Sequence, residues 1–272
     1  MKSLLAGILI AATSVVSHAE EQLFLRQSIP DSVPLPTTVN RTYRLLLPAG
    51  VAEKPDQKFP LVVYLHGGGS RGEDGLKPVN ESLPKLLATA EMRGRFPCFV
   101  LVPQCREGLY EDGRPYNWTK WENQTAAPAL WLKSDEEASD QLRAAMASLK
   151  DVLDRQPVDP ARVYLSGVSM GGSGSWSWAA RQPENFAAVV TVCGLSEVSR
   201  AEPISKVPVW TFHGAKDEVV PVQRTRDLVK ALEGFGGKVK YTEYPDGGHG
   251  VAAQAFTEDD HAAIRWMFGQ RR

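Results

Sequence analysis

Short apolar runs that alternate with segments of helical spacing constrain the fold of this chain more than any other feature. Residues 61–65 read LVVYL, an unbroken apolar run that is typical of a central strand covered on both faces. Residues 80–93 follow with leucines at helical spacing, and residues 99–102 form the next short apolar run. Strand and helix alternate in this way at least four times. We therefore predict an α/β fold with a mostly parallel central sheet and helices on both faces.

The same patterns place the other elements. A helix is predicted to begin at Ser134, because Glu137 stands three residues later and the pair forms a capping box. Its apolar face includes Leu142 and Leu149. The further predicted strands are residues 42–47, 163–165, 186–192, 207–212 and 239–244, and the further helices are residues 172–181, 223–233 and 257–268.

Residues 1–19 have the features of a cleaved secretory signal. Lys2 precedes an apolar stretch at 4–16, and the small residues Ser17 and Ala19 stand before the expected cleavage point. The alternative is a membrane anchor, but a spanning helix needs about 20 apolar residues and this stretch is shorter. We therefore predict a secreted or periplasmic protein without a membrane span.

The rest of the chain reads as one domain. Residues 20–36 contain prolines and are predicted to form a loosely attached N-terminal arm, while residues 37–272 contain no internal repeat or linker. The 31 Lys and Arg residues nearly balance the 32 Asp and Glu residues, which leaves a net charge of −1. A nucleic-acid-binding surface would show a clustered basic excess, so we expect no nucleic-acid partner.

The three cysteines are too few for a disulfide scaffold, and none forms a Cys-x-x-Cys pair typical of zinc sites. Cys98 and Cys105 flank the predicted strand at 99–102, which holds them too far apart for a bridge. Cys193 could pair with either of them or with neither. Buried free thiols are the simpler interpretation, and we expect no metal.

The strongest chemical signal is Gly167-Val168-Ser169-Met170-Gly171, which lies between a predicted strand and a predicted helix. In this context G-x-S-x-G forms a strained turn that exposes the serine hydroxyl above the sheet. The N–H of Met170 at the helix start then points toward the oxygen of a reacting carbonyl. The alternative is an ordinary glycine-rich turn without chemistry.

A second glycine-rich segment follows the buried strand at 61–65. The sequence His66-Gly67-Gly68-Gly69 brings backbone N–H groups within reach of a developing oxyanion. Gly68 is the first candidate for the donor and Gly69 the second, whereas His66 is expected to make structural hydrogen bonds. The alternative is a glycine turn without a ligand; a phosphate loop is disfavoured because no P-loop lysine follows.

A serine hydroxyl needs a base, and the base needs an orienting acid. Asp217 follows the predicted strand at 207–212 and His249 follows the last strand, so the chain order is Ser169, Asp217, His249. We predict these three as the catalytic triad. Each has an alternative nearby: Glu218 adjoins Asp217, Asp246 is close to His249 but is typical of a turn, and His213 precedes the acid.

A long segment without periodicity covers residues 104–134. It contains Trp118 and Trp121, for which we consider stacking on an aromatic or sugar group of the substrate. The alternative is that both tryptophans anchor the loop on the core.

Several short motifs together resemble those of a known family. They are YRLLLP at 43–48, LHGGGSRG at 65–72, VPQC at 102–105, GVSMGG at 167–172, HGAKD at 213–217 and GH at 248–249. The chain resembles the α/β-hydrolase superfamily over residues 41–268, and more narrowly secreted bacterial carboxylesterases of the phospholipase/carboxylesterase and predicted-peptidase type, which are relatives of prolyl-oligopeptidase-like hydrolases. Ser70 departs from the family, whose members usually carry Glu there, and this leaves the rim of the pocket undefined.

The resemblance implies that residues 37–272 form an α/β-hydrolase catalytic domain that acts through an acyl-enzyme without metal or cofactor. We predict a serine carboxylic-ester hydrolase for short-acyl, aryl or sugar esters, with a small-molecule or saccharide ester as its partner. Two alternatives stay open: a serine peptidase on the same triad, and a non-catalytic secreted binding protein on a hydrolase scaffold. The sequence leaves the acyl group, the alcohol and the oligomeric state undetermined.

Overall fold

The computed structural model of this protein describes residues 21–120 and 137–272. In this part of the chain, one sheet of eight strands has the order β1-β2-β4-β3-β5-β6-β7-β8. The pairs β1/β2 and β2/β4 are antiparallel, and every other neighbouring pair is parallel. The strands are β1 Phe24–Ser28, β2 Thr42–Leu46, β3 Phe59–Leu65, β4 Phe99–Pro103, β5 Val158–Val168, β6 Ala188–Val192, β7 Val209–Gly214 and β8 Val239–Tyr244.

Helices connect the parallel strands. The described helices are α1 Leu76–Val79, α2 Ser82–Ala88, α3 Ala90–Arg95, α4 Asp140–Arg155, α5 Met170–Arg181, α6 Ala201–Ile204, α7 Val222–Gly234 and α8 Ala252–Phe268. The backbone is non-helical at residues 258–261, so α8 consists of two helical pieces joined at a kink. None of the described helices has the length and apolar composition that a membrane span requires.

The two faces of the sheet carry two hydrophobic clusters, one on each side. In β3 all seven residues are buried; Leu61, Val63 and Leu65 belong to one cluster, while Val62 and Tyr64 belong to the other. This alternation follows from the pleat, which points successive side chains to opposite faces. A strand buried on both faces reads as a continuous apolar run, and the predicted α/β fold is confirmed.

The expectation of a loosely attached arm at residues 20–36 is wrong for its central part. Phe24–Ser28 pairs antiparallel with Thr42–Leu46 and forms an edge of the sheet. Phe24 is buried, whereas Leu25 is exposed. One face of β1 therefore packs on the core. This tertiary contact orders the strand although the surrounding sequence shows no regular pattern.

Two predicted helices differ from the observed ones. The helix expected over 80–93 is divided at Thr89, whose extended backbone ends α2 and whose side chain accepts a hydrogen bond from the Met92 N–H to start α3. The helix expected from Ser134 begins instead at Asp140, with Ser139 as its N-cap; Ser134 lies outside the described residues. Ser139 Oγ also donates to Trp118 O at 2.8 Å, a tertiary contact that local sequence does not reveal.

The three cysteines are free and buried in the folded protein. Their burial raises the pKa of each thiol to about 12. They behave as small apolar side chains, which corresponds to the simpler of the interpretations considered for Cys98, Cys105 and Cys193.

Candidate active site

Ser169 occupies the sharp turn between β5 and α5. Its φ of 56° and ψ of −118° lie in a region that non-glycine residues rarely adopt. The Ser169 N–H donates to Val192 O at 2.8 Å, which ties the turn to β6. A Cβ on Gly167 would lie 2.3 Å from Gly171 O. The glycines of the motif are thus required because the backbones on both sides of the turn nearly touch.

His249 and Asp217 meet Ser169 at the carboxyl edge of the sheet. His249 Nε2 lies 2.8 Å from Ser169 Oγ, and His249 Nδ1 lies 2.8 Å from Asp217 Oδ2. A carboxylate only accepts hydrogen bonds, so the neutral imidazole carries its proton on Nδ1 and Nε2 accepts from the serine hydroxyl. The structure brings the three predicted triad residues together, and the alternative acid Asp246 instead pairs with Lys216 at the surface.

Asp217 is buried, with no part of its side chain exposed to solvent. Its Oδ1 accepts hydrogen bonds from the N–H groups of Val219 and Val220 at 2.9 and 2.8 Å. Burial alone would raise the pKa of Asp217, but the hydrogen bonds from Val220, His249 and Val219 outweigh it, so the pKa lies below its ordinary value. The carboxylate is therefore ionised near neutral pH.

His213 supports Asp217 from the other side. His213 Nε2 lies 3.2 Å from Asp217 Oδ2 and 3.0 Å from Val220 O. Because the carbonyl oxygen only accepts, Nε2 carries the proton, and Nδ1 is 2.8 Å from Thr225 Oγ1. Burial lowers the pKa of His213 and keeps it neutral. The sequence analysis correctly kept this residue out of the triad on chain order but missed its contact with the acid.

Cys193 also lies beside this pair. Potential ligand atoms of Cys193, His213 and Asp217 lie within 4.8 Å of one another, the one such group among residues 21–120 and 137–272. Asp217 already accepts from His249, and the Cys193 thiol lies beside the same carboxylate. The cluster therefore acts as polar support for the carboxylate.

The glycine-rich turn of residues 66–70, which we name the oxyanion turn, adjoins the serine. A Cβ on Gly67 would lie 3.9 Å from Ser169 Cβ. The Gly67 N–H already donates to both carboxylate oxygens of Glu81, at 3.2 Å each. The Gly68 N–H has no acceptor among the described residues. Gly68 is thus the first free donor along the oxyanion turn.

The two other candidate donors have different surroundings. Gly69 is exposed, and no atom lies within 4 Å of a Cβ built on it. Met170 is buried and is the first residue of α5, where N–H groups have no intrahelical acceptor. The helix dipole adds partial positive charge at this end. Met170 and Gly68 are therefore the donors that the geometry favours, with Gly69 at the rim.

Trp118 is not positioned to stack on a substrate, which was the role that we considered for it. It is 1% exposed, its Nε1–H donates to His66 O at 3.0 Å, and its ring packs edge-on against the His66 ring at 5.0 Å. A Cβ on Gly174 would lie 2.5 Å from Trp118 Cβ. A side chain without an exposed face cannot stack on a substrate, so the alternative of an anchor in the core replaces the binding role. Trp121 lies outside the described residues.

Two cavities adjoin the segment 107–115, and one of them also borders the oxyanion turn. One of about 480 Å³ is lined by Gly68, Gly69 and Arg71, together with Lys77 and part of the segment 107–115. A second, of about 600 Å³, lies on the other side of the same segment. Leu109 lines both and is 62% exposed. Residues 107–115 therefore form a wall next to the candidate oxyanion donors.

The sequence analysis missed two polar side chains around the oxyanion turn. Glu81 is the residue before α2, and Arg71 appears in the sequence analysis only within the motif LHGGGSRG at 65–72. Their one signal in the sequence is that a carboxylate and a guanidinium stand close to a run of three glycines. This signal is weak, because charged residues near loops are usually solvated.

Comparisons with known proteins agree with this geometry. A family model described as "Dienelactone hydrolase family" matches residues 99–266, more than half of the chain. A rice protein (Oryza sativa subsp. japonica) named "Probable inactive carboxylesterase" is 26% identical over 207 residues, which cover 72% of this chain and 80% of the relative.

Solved structures add to these findings. A structure described as a thermostable esterase is 33% identical with a TM-score of 0.72, and the match covers 93% of this chain and 64% of that chain. A ferulic acid esterase has a TM-score of 0.60 at 14% identity and covers 90% of this chain and 96% of its own, which shows the fold alone. The predicted resemblance to α/β-hydrolase carboxylesterases is confirmed.

Proposed function

The chain belongs to the dienelactone hydrolase family of α/β-hydrolases, and we propose that it is a serine carboxylesterase that acts through an acyl-enzyme on Ser169. One observation carries the proposal: Ser169 Oγ, the His249 imidazole and the Asp217 carboxylate form a continuous hydrogen-bonded chain with 2.8 Å at each step. This chain supplies the base that a serine hydroxyl needs near neutral pH.

The proposed reaction has two steps. His249 Nε2 takes the proton of Ser169 as Oγ attacks the ester carbonyl, and it returns that proton to the departing alcohol. A water molecule, deprotonated by the same nitrogen, then attacks the acyl-enzyme. The bond between the acyl carbon and Ser169 Oγ breaks as His249 returns the proton to Oγ, and the carboxylic acid is released. Asp217 holds the Nδ1–H tautomer and stabilises the imidazolium that forms in each step.

The oxyanion of each tetrahedral intermediate would be held by the N–H groups of Met170 and Gly68. Both belong to segments adjoining Ser169, and the occupied N–H of Gly67 supports Gly68 as the donor. Preorganised donors of this type contribute about 10²- to 10³-fold each to kcat. The reaction as proposed uses only these protein groups and water.

The proposed substrates are short-acyl, aryl or sugar esters. The cavity of about 480 Å³ beside Gly68 and Gly69 supports a small ester, because it touches the candidate donors and suits a ligand of modest size. A panel of short acyl esters, feruloyl esters and acetylated sugars would identify the acyl and alcohol groups. Peptide amides in the same panel separate an esterase from the peptidase alternative, since faster cleavage of amides than of matched esters contradicts our proposal.

The central test compares Ser169→Ala with Ser166→Ala. Ser166 lies in β5 and is buried, and its Oγ has no hydrogen-bond partner within residues 21–120 and 137–272, so its loss should leave catalysis intact. We expect Ser169→Ala to lower kcat for p-nitrophenyl acetate about 10³- to 10⁶-fold and to abolish labelling by a fluorophosphonate. Wild-type protein that neither reacts with the probe nor cleaves any ester would favour the non-catalytic binding protein.

We also propose that the enzyme is exported, with residues 1–19 removed as a signal. The apolar stretch at 4–16 and the small residues before Glu20 support this proposal. N-terminal sequencing of protein recovered outside the cytoplasm tests it, and a mature chain that begins at Glu20 is the expected result. Recovery of the intact chain in the cytoplasm alone contradicts export.

A further inference from the structure

We propose that Glu81 and Arg71 are positioning residues that clamp the oxyanion turn at the Gly67 N–H and the Gly68 carbonyl oxygen and so set the direction of the Gly68 N–H. The inference rests on the proposed function, because it concerns how the donors of that reaction are aligned. Neither side chain belongs to the triad. Each of them holds a different peptide group of the turn.

Three consecutive glycines make the oxyanion turn intrinsically loose. Gly67, Gly68 and Gly69 have no Cβ to restrict their backbone angles, so fixing them costs more conformational entropy than fixing other residues. A donor N–H whose position varies stabilises the oxyanion poorly, since misplacement by about 1 Å can cost about 10²-fold in rate. The turn therefore needs external contacts to hold one conformation.

Glu81 holds the first peptide group of the turn. Both of its carboxylate oxygens accept from the Gly67 N–H at 3.2 Å, and Oε2 also accepts from Tyr64 O–H at 2.6 Å. Burial raises the pKa of this carboxyl, and the nearby Ser70 hydroxyl at the far end of the turn opposes that rise. One carboxylate thus links the strand β3 to the first peptide group of the oxyanion turn.

Arg71 holds the third peptide group and links it to the nucleophile turn. Its Nη1 donates to Gly68 O at 3.0 Å, its Nη2 contacts Met170 Sδ at 2.9 Å, and its Nε donates to Tyr116 O at 2.6 Å. The guanidinium group is rigid and planar, so these three contacts fix the positions of Gly68, Met170 and Tyr116 relative to one another. Arg71 therefore connects the residues that carry both proposed oxyanion donors.

Together the two contacts leave the Gly68 N–H as the unoccupied donor. Its peptide oxygen, Gly67 O, accepts from His66 Nδ1 at 2.7 Å. Because a trans peptide is planar, its N–H points away from that oxygen. Glu81 holds the preceding peptide group and Arg71 holds the following one. The peptide group that carries the Gly68 N–H therefore has little freedom to rotate.

The test measures oxyanion stabilisation directly. An oxyanion hole built for oxygen binds sulfur poorly, so the ratio of kcat/KM for an ester to that for its thionoester reports on donor alignment. We expect Glu81→Gln and Arg71→Gln each to lower kcat for the ester about 10- to 100-fold. KM should change less than about 2-fold, and the ester-to-thionoester ratio should fall in parallel with kcat.

A matched control separates positioning from folding. Asp151 is a buried carboxylate that, like Glu81, accepts a hydrogen bond from a tyrosine, here Tyr43, but it lies on α4 and has no contact with the oxyanion turn among the described residues. Asp151→Asn should lower the melting temperature without changing the ester-to-thionoester ratio. If Glu81→Gln fails to fold, Tyr64→Phe removes the hydroxyl that donates to the same carboxylate and should reduce the ratio to a smaller extent.

The outcomes distinguish the two levels of the proposal. If kcat falls in Glu81→Gln and Arg71→Gln while the ester-to-thionoester ratio stays at the wild-type value, the clamp is wrong and the esterase assignment stands. If Arg71→Lys keeps the wild-type ester-to-thionoester ratio, the positive charge suffices and the planar guanidinium is not needed. That result would contradict the role given to Arg71. Wild-type protein without esterase activity removes the basis for both proposals.

Discussion

A Cβ on Gly171 would lie 1.8 Å from the carbonyl oxygen of Leu65. The first turn of α5 therefore packs directly on the end of β3, backbone against backbone. This contact brings the serine turn next to the oxyanion turn, because the same strand end leads into residues 66–70. The proximity of nucleophile and oxyanion donors thus depends on a missing side chain.

We expect Gly171→Ala to prevent stable folding or to lower the free energy of unfolding by more than about 3 kcal/mol, since no backbone shift of that size is available in a packed core. Gly94→Ala is the control, because nothing lies within 4 Å of a Cβ at that position. Urea unfolding of both variants checks the prediction. Wild-type stability in Gly171→Ala would disprove the close approach.

Asp217→Asn should lower kcat about 10³- to 10⁴-fold, because an amide cannot hold the imidazole tautomer that accepts from Ser169. Asp246→Asn is the matched control on the same rim, since Asp246 pairs with Lys216 and is 93% exposed. Steady-state kinetics on one aryl ester decides the assignment. A large loss in Asp246→Asn with near-normal Asp217→Asn would reassign the acid.

Protein stability should depend on His66 in the acidic range. Burial lowers the pKa of His66 to about 4 from an ordinary 6.5, so the unfolded chain binds more protons between these two values. The free energy of unfolding should therefore fall as pH decreases from 6.5 to 4, by about 3 kcal/mol from this residue. His213, whose pKa is also lowered by burial, contributes in the same direction.

The variant His66→Asn tests this dependence, because its amide can still donate to Gly67 O but does not titrate in this range. Urea unfolding at several pH values should give a flatter profile for the variant than for the wild type. If the free energy of unfolding depends equally on pH in the two proteins, protonation of His66 does not destabilise the folded state.

Trp118→Ala should lower the free energy of unfolding by about 3 to 5 kcal/mol, because it leaves a cavity in the core and removes the bond to His66 O. Leu109→Ala, at an exposed side chain, should change stability little. Thermal unfolding and KM are measured on both variants. An increased KM in Trp118→Ala at unchanged stability would restore the substrate-binding hypothesis.

Some residues have roles that follow from their neighbours in the chain, whereas others have roles that depend on contacts with distant residues. The G-x-S-x-G turn follows from local requirements, because a strand, a strained serine and a helix are adjacent in the chain. The order of Asp217 and His249 likewise follows from their positions after successive strands. Trp118 belongs to the other kind: its partner His66 is 52 residues away, and no local pattern distinguishes a buried anchor from an exposed platform.

The layered α/β architecture and the candidate triad follow from the sequence alone, because apolar periodicity and turn chemistry act between near neighbours. Which N–H groups of the oxyanion turn are free follows only from tertiary contacts. Glu81, the residue before α2, occupies the Gly67 N–H, and Arg71, which follows the turn in the chain, links Gly68 O to Met170. Residue identity does not show which of these groups pair, because the pairing depends on how β3, the oxyanion turn and the first turn of α5 pack together.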